Sequence, residues 1–153
     1  MTEISFRRRY AFALGFLMFL FLGRVLIQLW QAWRPVGWLP PFESWHSATL
    51  PYPALVAAQV VVLALGAWST WGIGSGRISA QPRVGRVLLV LGLIYFLSMA
   101  ARLLLGLTLL HDIHWLDAPL PSVFHLVLAT YLLVLSRFHL RCSARTEGAA
   151  TRG

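Results

Sequence analysis

The residues with chemical potential are few, and most lie where polar groups are rare. Arg24, Gln28, Gln59, Arg102 and His125 each interrupt an otherwise apolar run. Polar side chains inside apolar helices are costly and usually face a protein interior or a wet cavity. Helical spacing supports that placement. Arg24, Gln28 and Gln31 recur at i, i+4 and i+7, Tyr95, Ser98 and Arg102 at i, i+3 and i+7, Gln59, Gly66 and Thr70 at i, i+7 and i+11, and Ser122, His125 and Ala129 at i, i+3 and i+7. Each set falls on one helix face. The guanidinium fork binds two oxygens at once, so the arginines suit a phosphate or carboxylate. No carboxylate occurs inside any of the four runs. Counter-charge must come from Glu43, Asp112 or Asp117 in the connections, or from a bound anion. Otherwise the guanidiniums snorkel toward headgroups, or bond carbonyls and glutamines. His125 is expected to face inward, near both arginines, bonded to Gln59 or a loop carboxylate.

A second cluster, His46, His111 and His114 with Asp112, offers imidazole and carboxylate donors that suit zinc, copper or non-haem iron. Its spacing matches no metal signature, and a metal needs three or four convergent ligands. His125 is the one histidine clearly inside a run, whereas bis-histidine haem needs two at matched depth. The sequence therefore calls for no cofactor. It holds no glycine-rich phosphate loop, no G-x-S-x-G, no H-E-x-x-H and no paired intramembrane aspartates. One cysteine, Cys142, excludes an intramolecular disulfide and a thiolate cluster.

The elements that must position these groups are set by hydropathy. Of 153 residues 58% are hydrophobic and 12% charged, about half the charge of a soluble domain, and mean hydropathy is +0.70. Four runs, 10–33, 54–74, 84–110 and 122–138, reach or approach the ~20 residues needed to cross hydrocarbon. Lipid satisfies no backbone group, so each run should be helical. The fold class is all-α: a four-transmembrane-helix bundle over 1–141, followed by a disordered cytoplasmic tail over 142–153. Arg7, Arg8 and Arg9 precede a run too long for a signal-peptide core, and no A-x-A site follows, so the first span reads as a retained anchor.

All 13 basic residues are arginine, and they sit at span ends, with no basic stripe interleaved with aromatics. That argues against nucleic acid and for topology signals. Arg7, Arg8, Arg9, Arg77, Arg83, Arg86, Arg137, Arg141, Arg145 and Arg152 share one side, and Arg34 alone lies opposite. The positive-inside rule places both termini in the cytoplasm of an inner-membrane protein. Trp30, Trp33, Trp38, Trp45 and Trp115 then form an outer aromatic belt, with Trp68, Trp71 and Tyr10 an inner one. Arg34–Pro53 is proline-rich and is expected to cap the bundle. Arg24 and Arg102 lie about 13 Å below the outer helix ends, at ~1.5 Å per residue. All four helices thus carry their polar residue in the outer half. A faint repeat adds to the pattern: an arginine-bearing helix, a Trp-bearing loop, Pro-x-Pro (Pro51–Pro53, Pro119–Pro121), then an apolar helix.

These features favour a binding or accessory protein over an enzyme. The expected partners are the bilayer, a lipid or quinone in an outward-facing polar pocket, and a partner subunit or further copies of the chain. The alternative is an enzyme acting on a lipid-soluble or anionic substrate from the periplasmic side. His125 would then transfer protons with a loop histidine, and Arg24 and Arg102 would clamp charge. A catalytic site should show His125 within hydrogen-bond reach of another titratable group.

Overall fold

A computed structural model describes residues 3–39, 51–108 and 119–150, with side chains over 4–39, 51–108 and 120–144. The four expected spans are four helices: α1 (Glu3–Trp33), α2 (Tyr52–Gly74), α3 (Pro82–Thr108) and α4 (Pro119–Ala150). Each is long and apolar enough to cross a membrane. Proline marks three of the starts: Pro51 caps α2, Pro82 opens α3 and Pro119 opens α4. Its missing N–H is no loss in a first turn, where that donor has no intrahelical partner.

The helices pack through seams of small and apolar side chains. On α1, Leu14, Met18, Phe21 and Val25 are buried at spacings of 4, 3 and 4, the repeat of a left-handed helix pair. Met18 lies over Gly66 of α2, so closely that any side chain at 66 would overlap its thioether. Between α3 and α4 the small residues are Gly85 and Gly92, seven apart. A Cβ at 85 would fall 2.8 Å from Leu140 Cγ, and one at 92 would fall 2.9 Å from Leu133 Cδ2. Close approach of this kind is how membrane helices gain dispersion contact, because lipid supplies no hydrophobic drive between them. It also lets Ser136 Oγ donate to Gly85 O at 2.8 Å.

The packing order is α2–α1–α4–α3. Helix α1 packs on α2 and α4, and α4 on α3, while the described parts of α2 and α3 make no comparable contact. Tyr131 of α4 reaches across to α2, where its hydroxyl donates to Gly66 O at 2.9 Å and lies 2.7 Å from Ser69 Oγ. The bundle is therefore open along the α2/α3 side. At the end bearing the chain termini, α2 reverses into α3 through Gly76, whose φ of +77° suits glycine. Ile78 N bonds Gly72 O at 3.0 Å, and Arg7 Nη1 donates to Ile78 O at 3.0 Å.

Helix α1 begins at Glu3, so Arg7, Arg8 and Arg9 are helical and precede the 10–33 run. Two expectations are corrected. Helix α4 does not stop at Phe138 but continues to Ala150, so 142–150 is helix where a disordered tail was expected. Arginine and alanine are strong helix formers, and Cys142 and Ser143 are buried. Ser98 is exposed and does not share an interior face with Tyr95 and Arg102. The repeat finds no counterpart in the packing either: a two-fold relation between halves would pair α2 with α3 as α1 pairs with α4.

Candidate functional site

The loop side is the end opposite the termini, where 34–51 and 109–118 connect the helices. There Arg24, Gln28 and Gln31 of α1 are all buried, as their spacing implied. They have different partners. Gln31 closes the turn after α1: its Oε1 accepts from Val36 N at 3.1 Å and its Nε2 reaches Val36 O at 3.5 Å. Gln28, 1% exposed, accepts from Nε2 of Gln59, which is 5% exposed, at 3.2 Å. This bond joins α1 to α2 and fills half the capacity of each amide. Gln28 Nε2 and Gln59 Oε1 are buried without a hydrogen-bond partner among the described residues. Exchanging both amide orientations leaves the same shortfall, one donor group and one acceptor.

On the α3/α4 side the partner of His125 is Tyr95, at 2.5 Å between Oη and Nδ1. The expected bond to Gln59 is not formed. Gln59 is held by α1, and Tyr95 meets the imidazole edge-on across the tight α3–α4 seam. Arg24, 7% exposed, lies over the Phe124 ring at 5.5 Å, a cation–π contact.

One turn deeper the polar cluster gives way to an apolar cavity of about 330 Å³ in the open α2/α3 side. Val62 follows Gln59 by one helical turn and Leu128 follows His125 likewise, and both line the cavity with Leu65 and Leu132. Tyr95 belongs to both regions, lining the cavity while its hydroxyl holds His125. Met18 forms the wall on α1. Gln59 and His125 thus lie one helical turn from the lining of an apolar slot, and Tyr95 joins that slot to the imidazole.

Two polar side chains of this slot, Ser69 and Tyr131, were not singled out in the sequence, and Tyr95 was noted there only for its helix face. The signal for Tyr131 was a tyrosine deep in an apolar run, since a buried phenol needs a partner. His139 was also missed. It is 6% exposed near the terminal end of α4, past the expected end of its span. His46, His111, His114, Glu43, Asp112 and Asp117 lie outside the described residues. Among the described residues no three histidine, cysteine or carboxylate groups converge as a metal site.

No family model matches the chain, and neither a curated protein nor a solved structure shows significant similarity to it.

Proposed function

We propose that the chain is an inner-membrane binding protein that takes an amphiphile, a lipid or a quinone, from the bilayer. The polar head lies against Gln28 and Gln59, flanked by Arg24, Arg102 and His125, and the apolar part lies in the α2/α3 slot. The observation that supports this reading is the half-satisfied Gln28–Gln59 pair, one helical turn along α2 from the lining of a cavity in the open side of the bundle. Leaving buried amide groups unmet costs about 1–3 kcal/mol each, and a ligand offering both a donor and an acceptor removes that cost. The arginine distribution supports cytoplasmic termini and a loop side facing the periplasm. The lipid-exposed faces of α2 and α3 offer room for a partner subunit or further copies. The test is to extract wild type, Gln28→Leu, Arg24→Leu and Arg102→Leu from membranes and identify co-purifying lipid-soluble molecules. Wild type should carry a discrete species that every variant loses while remaining folded. A variant that keeps the molecule and gains stability would show that its residue has no part in binding.

The Tyr95–His125 bond supports a second reading, because it places His125 within reach of another titratable group. Such a pair can pass a proton to or from a head held at the mouth of the slot, acting as general acid or base. In that case the chain is a membrane-embedded enzyme working from the periplasmic side. Tyr95→Phe decides between the readings: it should leave binding intact and abolish turnover if chemistry occurs.

A further inference from the structure

The α2/α3 opening does not end at the first cavity. A second cavity of about 510 Å³ lies nearer the chain termini, and the two share Ser69 and Leu135 on their walls. The two cavities thus adjoin at Ser69 and Leu135, and the terminal-side one is bordered by Trp68, Arg77, Gln81 and His139.

His139 makes this end more than an apolar gap. Its Nδ1 accepts the backbone N–H of Gln81 at 3.1 Å. A backbone N–H can only donate, so Nδ1 carries no proton and the ring is a neutral imidazole with its proton on Nε2. Among the described residues the ring makes no other hydrogen bond, and His139 borders the cavity. The frame around it is held from two sides: Arg7 donates to Ile78 O, and Gly85 packs against His139 Cβ. Arg77 stands at the mouth, its guanidinium 4.2 Å from the centroid of the Trp71 ring.

We propose that this terminal-side cavity is a second lipid site, which takes an anionic glycerophospholipid from the adjacent leaflet. The phosphate accepts from His139 Nε2–H and Arg77, and one acyl chain runs past Ser69 and Leu135 into the groove. Charge complementarity selects the occupant. Arg77 borders the site, the 75–86 segment carries Arg83 and Arg86 as well and no carboxylate, and anionic lipid headgroups are drawn to such segments. His139 and Arg77 both border the cavity, and a neutral N–H with a guanidinium offers a phosphate donors and no acceptor. This site shares no polar residue with the loop-side cluster, so the two proposals stand or fall separately.

The test uses the full chain in nanodiscs of phosphatidylcholine with added phosphatidylglycerol, with ¹⁵N-labelled histidine. The resonance assigned to His139 by its loss in His139→Phe should shift as phosphatidylglycerol is added. Arg77→Gln changes an exposed residue and should weaken that response about tenfold, the loss of one charge-assisted hydrogen bond. Gln28→Leu should leave it unchanged. Inorganic phosphate in place of the lipid should give no shift. A His139 signal that ignores phosphatidylglycerol, or a response equal in Arg77→Gln, overturns the site. A shift with inorganic phosphate alone overturns the assignment to a lipid.

Discussion

Replacing the two buried glutamines singly and together should give energies that do not add. Gln28→Leu removes the one side-chain hydrogen bond that Gln59 makes, so both polar ends of a side chain 5% exposed are left unmet. Gln59→Leu does the same to Gln28. A bond between membrane helices is worth about 0.6 kcal/mol on average and ~1.7 at most, while an orphaned buried group costs about 1–3 kcal/mol. Wild type already leaves one end of each amide unmet, so a single variant exchanges one orphan for another, loses the bond, and should fall by about 0.6–1.7 kcal/mol in the ligand-free state, or roughly 2–4 °C in melting temperature per kcal/mol for a chain of this size. The double variant leaves no orphan and replaces two amides with apolar groups of similar shape. It should fall within about 0.5 kcal/mol of wild type or above it. The double-mutant cycle then shows a coupling of about 1–3 kcal/mol. Unfolding of the purified protein in mixed micelles reads all four corners. A double variant destabilised by the sum of the singles would refute the reasoning, because the pair would then be a structural strut and not a site kept at a cost in stability.

Other perturbations follow from the packing. Gly92→Leu forces a side chain against Leu132 and Leu133 and should cost about 1–3 kcal/mol in the same assay. Gly23→Ala meets nothing within 4 Å and should be neutral or stabilising by up to ~1 kcal/mol. Tyr95→Phe removes the bond to His125 and should lower stability by about 0.6–1.7 kcal/mol without displacing the bound amphiphile. A reporter fused after Arg145 should be active only in its cytoplasmic form and one inserted at Ser47 only in its periplasmic form. The reverse pattern at either point contradicts cytoplasmic termini.

The four spans were legible because hydrocarbon thickness fixes their length and the cost of unmet backbone groups fixes their conformation. The inward face of α1 was legible too, since Arg24, Gln28 and Gln31 share one side of a single helix. Partnership across helices was not. Spacing gives a face but not which neighbour that face meets, so the sequence points His125 to Gln59 or a loop carboxylate, whereas Tyr95 holds it and Gln28 holds Gln59. The α2/α3 opening was hidden for the same reason, as it depends on how the helices are ordered around the bundle. His139 could have been found. Ser122, His125, Ala129, Leu132, Ser136, His139 and Ser143 recur at 3 and 4 throughout α4, and ending the span at Phe138 cut the pattern short.

The central claim, that the α2/α3 slot holds an amphiphile anchored by the loop-side cluster, is tested most directly by photolabelling. Nanodiscs carrying a lipid with a photoreactive chain are irradiated, and modified residues are mapped by mass spectrometry. Leu128 and Leu132 line the slot, whereas Val90 and Ile94 are exposed on α3 outside it. The account predicts labelling of Leu128 and Leu132 above that of Val90 and Ile94, with the excess lost in Gln28→Leu and Arg24→Leu. Uniform labelling of all four positions, or an excess at Leu128 that survives both substitutions, would contradict it.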